Sequence, residues 1–453
     1  MANLHVLQTG VVVADSAPRP RARTRGMAAL RRHPFLAVTV LAVFVRVLVA
    51  IVSKVLFAGH VFGDERYYEA MATDIALNSR SAWRAFDEAF YDATGGFLWP
   101  LALVYRVFGA GSIAGQLLVV GFGVATVVLT MVVSRRVVAP RWVVLAGLLA
   151  ALLPSTVLWS SLTLKDAQVW TLVGLATLAV ASSIGARGWT MAAMLALAAG
   201  SLLTLAFVRP HSFVVGCLAL LLAAWFGPRE GRAARGLAGS AVAVVLPWLV
   251  GLGPLGSEMI LHSGSLDFRR AANAEGARTA FVPSVTERSL EIRRALEAPD
   301  GQGRGGPSDA AGVPGVDRPL DPLEEPVIVL PSFDDSLADN LSHLPRGVVS
   351  VLLEPTPWRS GSANVRFGGV EALIWYPMLL LAGAGLVVAI RHRGVLAFPV
   401  LYAGGMIVLY ALTEGNIGTS FRHRAEATWV VCILAAAGAQ VLCERWTAAR
   451  RTS

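Results

Sequence analysis

Apolar residues fill this chain in blocks of about 16 to 23 from residue 35 almost to the end, separated by short polar seams and by two longer stretches at 58–96 and 256–345. Crossing a bilayer as a helix takes roughly 20 predominantly apolar residues. Ten stretches approach that length: 35–57, 112–134, 142–159, 168–185, 189–208, 212–227, 236–255, 371–390, 394–412 and 427–443. The pattern predicts an all-α polytopic membrane protein with about ten transmembrane helices. Two further apolar segments are too short to cross alone. FLWPLALVYRVFG (97–109) reads as a half-embedded helix leading into the second span, and RGVVSVLLEPTPW (346–358) as an interfacial one.

One polar stretch keeps a helical period. From Asp64, apolar or aromatic side chains fall at Tyr68, Met71, Ala72, Ile75 and Ala76. That spacing predicts an amphipathic helix, lying on the outer membrane surface with Tyr67 and Tyr68 at headgroup level. Asp64 follows Gly63 at the N-cap position, where free backbone amides and the helix dipole favour a carboxylate.

Composition agrees with a membrane protein: of 453 residues 55% are hydrophobic and 15% charged, and mean hydropathy is +0.60. The net charge of +9 does not point to nucleic acid, because the basic residues stand beside spans. Arginines of short loops mark the cytoplasmic side. They lie in RPRARTR and RRH of the N-terminal tail, at Arg135, Arg136, Arg141, Arg187, Arg229, Arg232, Arg235, Arg391 and Arg393, and at Arg445, Arg450 and Arg451. Ten spans put all of them on one side, with both termini inside.

The chain then divides into a basic tail (1–34), a transmembrane core (35–255) with a first outer loop at 58–96, a long outer loop (256–345), a C-terminal interfacial segment with spans (346–443) and a short tail (444–453). The tail and first span lack the pattern of a cleavable signal peptide. The stretch 297–326 of the long loop is too rich in Gly, Pro and acids to pack a core. Cys217, Cys432 and Cys443 fall inside or at the end of apolar runs and read as packed thiols.

Candidate chemistry sits where charge breaks the orientation rule. Lys165 and Asp166 follow PSTVLWSSLTL, Arg209 and His211 stand in VRPHS, and TEGNIGTSFRHR carries Asn416, Arg422, His423 and Arg424. Each alone has an ordinary reading. A span-end arginine snorkels to headgroups, a Lys-Asp neighbour pair caps a helix, and a single histidine fills a hydrogen-bonded niche. Arg46, mid-span, calls for a buried acid. Together the three clusters gather cations on the face that holds Asp64 and Glu65, and ionisable groups near membrane depth are functional candidates. A carboxylate at headgroup level can take a proton from an attacking hydroxyl. Nearby cations can hold a lipid phosphate and the charge that develops on it. A phosphate leaves without protonation, so one carboxylate suffices where glycoside hydrolysis needs two.

At these residues the chain resembles the GT-C superfamily of integral-membrane glycosyltransferases, nearest its branch of protein O-mannosyltransferases and aminoarabinose transferases (glycosyltransferase family 39-like). The resemblance rests on GDERYYEAMA, GGFLWPLALVYRVFG, LLPSTVLWSSLTLKDA and GNIGTSFRHR, and covers 35–225 well and the C-terminal third loosely. It implies a polyprenyl-phosphate-linked sugar donor and inverting transfer to an extracytoplasmic glycan, lipid or protein. An acid of the first outer loop would be the base, Asp64 before Glu65.

By type and side, Lys165 and Arg209 would contact the donor phosphate, with Asp166, His211, Asn416, Arg422, His423 and Arg424 completing the substrate-binding set. The setting is a bacterial plasma membrane. Large external C-terminal domains are frequent in such a family, and the short final loops here leave the acceptor open. No cofactor is certain: Asp64 and Glu65 could hold a divalent metal with His211, but without tight ligand spacing. Alternatives from the same features are a lipid-linked oligosaccharide flippase or transporter and an O-antigen polymerase- or ligase-like enzyme.

Overall fold

The computed structural model describes residues 33–56, 61–77, 94–111, 113–184, 186–226, 238–242, 244, 337–360, 363–413 and 417–452. Every regular element among them is a helix. In chain order these are α1 (Pro34–Leu56), α2 (Gly63–Leu77), α3 (Gly95–Phe108), α4 (Ile113–Ser134), α5 (Pro140–Leu152), α6 (Pro154–Trp159) and α7 (Asp166–Ser183). They continue with α8 (Gly188–Ala206), α9 (Pro210–Phe226), α10 (Leu337–Leu353), α11 (Ala363–Arg391), α12 (Arg393–Thr413) and α13 (Ile417–Thr452). Six of them, α1, α4, α8, α11, α12 and α13, are long and apolar enough to cross a membrane. Of the expected span 236–255 only 238–242 and 244 are described, and most of the long loop and Asn416 lie outside the described residues.

Several expectations change. The stretch 142–159 is not one helix, because Leu153 turns extended ahead of Pro154, whose missing N–H cannot continue the ladder. The stretch holding FRHR is not a loop but the opening turns of α13. Ile417, Phe421 and Ala425, four apart, bury one stripe of it. The amphipathic α2 does not lie on lipid. Its apolar face packs on α3, with the Tyr68 ring edge-on to Phe97 at 5.4 Å. A half-length apolar helix beside it offered protein cover in place of headgroups. Tyr67 remains exposed.

Among the described residues Arg46 finds no acid. Its guanidinium donates to Ala150 O (3.1 Å), Ala151 O (3.0 Å) and Ser160 Oγ (2.7 Å). The break after α5 explains the choice. Ala150 O would serve the amide of residue 154, which is proline, and Ala151 O would serve Ser155 N, which instead donates to Glu371. Arg46 thus fills C-terminal carbonyls that the kink leaves open.

At the α11–α13 crossing two long helices meet with no room for a side chain between their backbones. A Cβ on Gly385 would fall on the carbonyl oxygen of Leu434, and one on Gly438 on that of Leu381. Backbone cannot rotate away as a side chain can. Gly438→Ala should therefore push α13 off α11 and cost about 1–3 kcal/mol, read as a lower thermal midpoint in detergent. Gly404→Ala, whose added methyl meets nothing within 4 Å, should leave the midpoint in place.

Candidate active site

At one end of the bundle α8 and α12 finish and α2, α7, α9 and α13 begin, so the ends of six helices meet. Their charged side chains form one alternating series: Asp64, Arg422, Asp166, Arg209, Glu426. Arg422 Nη1 donates to Asp64 Oδ2 at 2.6 Å, while its Nε and Nη2 donate to Asp166 Oδ2 at 3.1 and 2.8 Å. Arg209 Nη2 donates to Asp166 Oδ1 at 2.9 Å and its Nη1 to Glu426 Oε1. Glu426 also accepts from Tyr410 OH (2.8 Å), Tyr402 OH (3.0 Å) and Ser212 Oγ (3.1 Å).

Local sequence sets each rung. Arg209 closes the turn after α8, its amide donating to Leu205 O, and Pro210 then opens α9 at a position where no N–H is needed. Asp166 is the first residue of α7, at the positive end of its dipole. Arg422 and Glu426 are four apart on α13 and so share a face. The series runs from wet to dry: the Asp64 side chain is 53% exposed and that of Arg422 14%, whereas Asp166, Arg209 and Glu426 are buried. Buried charges hold only if each is paired, and here each is.

The sequence-derived candidates separate accordingly. Asp64, Asp166, Arg209 and Arg422 are brought together. Arg209 is spent on two carboxylates below the surface. His211 and His423 flank Tyr410, His211 Nε2 lying 3.4 Å from its hydroxyl and the His423 ring stacking on it at 4.6 Å. Arg424, two residues from Arg422, faces away. It donates to Leu352 O and Glu354 O, pairs with Glu371 at 3.4 Å and covers Trp375.

Glu65 is buried and accepts from the amides of Val61 (2.9 Å), Phe62 (3.0 Å) and Thr163 (3.2 Å). With Gly63 as first helical residue, Glu65 stands at N3 and reaches back to the N-cap amide, as in a capping box. The cap expected of Asp64 is therefore made by Glu65, which leaves Asp64 for Arg422. Asp64, Glu65 and His211 have separate partners. Among the described residues no three His, Cys, Asp or Glu side chains gather as metal ligands would.

Lys165 does not pair with its neighbour Asp166, and among the described residues its ammonium has no carboxylate within ion-pair distance. It lies 6.0 Å from the Tyr68 ring centroid. Burial, with the Arg209 guanidinium nearby, pushes its pKa down to about 7.

Glu426, Tyr402, Tyr410 and Ser212 did not stand out in the sequence. Glu426 had a signal: an acid at the lip of a span, one turn from Arg422, demands a partner. The two tyrosines looked like ordinary aromatic members of a span.

No protein-family model matches this chain, and no curated protein matches its sequence. Solved structures do share its fold. The archaeal oligosaccharyltransferase AglB from Archaeoglobus fulgidus, in complex with an inhibitory peptide and a dolichol-phosphate, superposes with a TM-score of 0.51 at 14% identity, over 93% of this chain and 52% of that one. The apo form of the Archaeoglobus fulgidus oligosaccharyltransferase gives 0.50 at 14% identity, over 92% and 51%. This chain spans about half the length of those proteins. At such identity the likeness is one of fold alone.

Removing the innermost rung tests the series. Glu426→Ala leaves Arg209 short of one carboxylate and strands two tyrosine hydroxyls. Breaking a buried ion pair costs about 3–5 kcal/mol, so the variant should unfold at a markedly lower temperature in detergent. An unchanged midpoint would show that the pair adds nothing.

Proposed function

We propose that this protein is a membrane glycosyltransferase that moves a sugar, with inversion, from a polyprenyl-phosphate-linked donor to an extracytoplasmic acceptor. The observation that carries the reading is the exposed end of the charge series. Asp64, an accessible carboxylate, stands beside Arg422 and near the ammonium of Lys165 at the end where six helices meet. The fold, shared with a protein seen with dolichol-phosphate, supports the donor class. The four motifs quoted for the O-mannosyltransferase and aminoarabinose transferase branch all contribute residues to this end of the bundle. The arginines of the short loops support an orientation with that end outside the cell, in a plasma membrane.

The roles follow from position. Asp64 takes the proton from an acceptor hydroxyl as its oxygen bonds to the anomeric carbon. The bond from that carbon to the phosphate oxygen breaks, and its electron pair stays on the phosphate. Lys165 and Arg422 hold that phosphate and the charge it gains. Arg209, which the sequence offered for the phosphate, serves instead to fix Asp166 and so the guanidinium of Arg422. A transporter would need polar groups free to hold cargo in broken helices near mid-membrane, and the carbonyls at the break between α5 and α6 are already taken. Arg46, the buried guanidinium of α1, is satisfied by carbonyls and a hydroxyl.

Asp64→Asn removes the basic lone pair and leaves the Glu65 cap intact. The variant should fold, insert and bind donor, yet transfer sugar about 100-fold more slowly or worse, the scale of a positioned base. Transfer from a polyprenyl-phosphate sugar in proteoliposomes reads this out, and near-normal transfer would remove Asp64 from the reaction.

The depressed pKa of Lys165 gives a second expectation. Its ammonium is lost as pH rises through about 7, and a bound phosphate favours the charged form. Affinity for a sugar phosphodiester, whose own charge is fixed, should fall from pH 6 to pH 8.5. Lys165→Arg should flatten that profile, since a guanidinium stays charged throughout.

A further inference from the structure

Asp64 is not idle while the site is empty of substrate. Its Oδ2 accepts from Arg422 Nη1 at 2.6 Å. That bond occupies one oxygen of the carboxylate and holds the group against Arg422. The two sides of Arg422 are held unequally. Nε and Nη2 both donate to the buried Asp166, which Arg209 fixes from behind. Nη1 alone reaches outward, to a side chain that is 53% exposed.

Trp159 lies beneath the guanidinium at 5.8 Å from its ring centroid, so the group is backed on one side as well. The inner hydrogen bonds therefore stay made whatever happens at Nη1. The outer bond is an exposed ion pair, of the kind that contributes little and exchanges readily for another anion.

We propose that the Arg422–Asp64 ion pair is a latch opened by the donor's phosphate, which takes over Nη1 and frees the Asp64 carboxylate only when donor is seated. This rests on the glycosyltransferase reading above and adds an order of events to it. Phosphate competes well for that edge because its oxygens accept charge-assisted bonds from a guanidinium as a carboxylate does, and Lys165 stands near as a second cation. The consequence is that an acceptor hydroxyl meets a free base only in the donor-loaded enzyme. A site loaded with acceptor alone stays closed.

Linkage makes this testable, since what the phosphate must break lowers its affinity. Binding of undecaprenyl phosphate to the full chain in nanodiscs is measured for wild type, Asp64→Asn, Arg422→Gln and the double variant, with undecaprenol as the uncharged control. A latch predicts that Asp64→Asn binds undecaprenyl phosphate about threefold tighter or more. In the Arg422→Gln background the same substitution should change nothing, because no guanidinium remains to be released. Simple repulsion between Asp64 and the lipid phosphate would instead tighten binding equally in both backgrounds, and that result overturns the latch. So does equal or weaker binding by Asp64→Asn.

If Arg422→Gln does not fold, Arg422→Gln combined with Asp166→Asn replaces it: no carboxylate is left buried without its arginine and no guanidinium remains for Asp64, so the null effect is again expected. Inorganic phosphate giving the same pattern supports the latch and assigns it to the headgroup rather than the tail. Wild-type protein that binds undecaprenyl phosphate no better than undecaprenol overturns the donor reading itself, and the latch with it.

Discussion

Asp166 is a carboxylate with no access to water, and the candidate site is arranged around that constraint. An isolated buried charge is untenable, so two guanidiniums must reach it, one from each side. Arg209 in turn lies buried and needs a second acid, Glu426, whose remaining oxygen capacity is filled by Ser212, Tyr402 and Tyr410. Each demand recruits a residue from another helix: α7, α13, the α8–α9 turn, α9 and α12. The chain of pairing ends only at Asp64, where solvent takes over. A protein that merely needed stability could have filled the same volume with apolar side chains at no loss. The charge is retained at the one end where charge has a use.

A second set of contacts holds the frame on which this series stands. The kink at Leu153–Pro154 frees carbonyls that Arg46 collects from α1, and it turns Ser155 toward Glu371 of α11. Glu371 is shared with Arg424 of α13, which also gathers the carbonyls at and after the end of α10. So α13 presents Arg422 and Glu426 to one network and Arg424 to another, two residues apart and on different faces. The three polar members of one short motif are divided between chemistry and scaffolding by the helical period alone.

That division marks how far the sequence could be read. Spans that are apolar all round, such as α1, α4 and α12, came within about two residues of their observed ends, because hydropathy alone defines them. Arg209 and Arg422 were legible as cations standing against the orientation rule, and Asp64 and Asp166 as acids on the same face. What misled was local context. The polar look of TEGNIGTSFRHR hid the buried stripe of Ile417, Phe421 and Ala425. The N-cap argument for Asp64 was sound as chemistry, but Glu65 at N3 could meet the same amides while staying buried. Arg46 seemed to need an acid only because a proline 108 positions away gave no hint that carbonyls would be waiting.

The helix α13 has a consequence of its own. Its 36 residues span about 54 Å without a break, well past a ~30 Å hydrocarbon layer. Near its middle Gly438 pins it against α11, and four turns earlier it displays Arg422 and Glu426. Inserting or deleting a single residue between those points would swing the upstream part by about 100° and slide it by ~1.5 Å. His423 after an insertion, or Phe421 after a deletion, would then stand where Arg422 must be. The stretch from Arg422 to Gly438 therefore has a fixed number of residues, counted as strictly as the teeth of a gear.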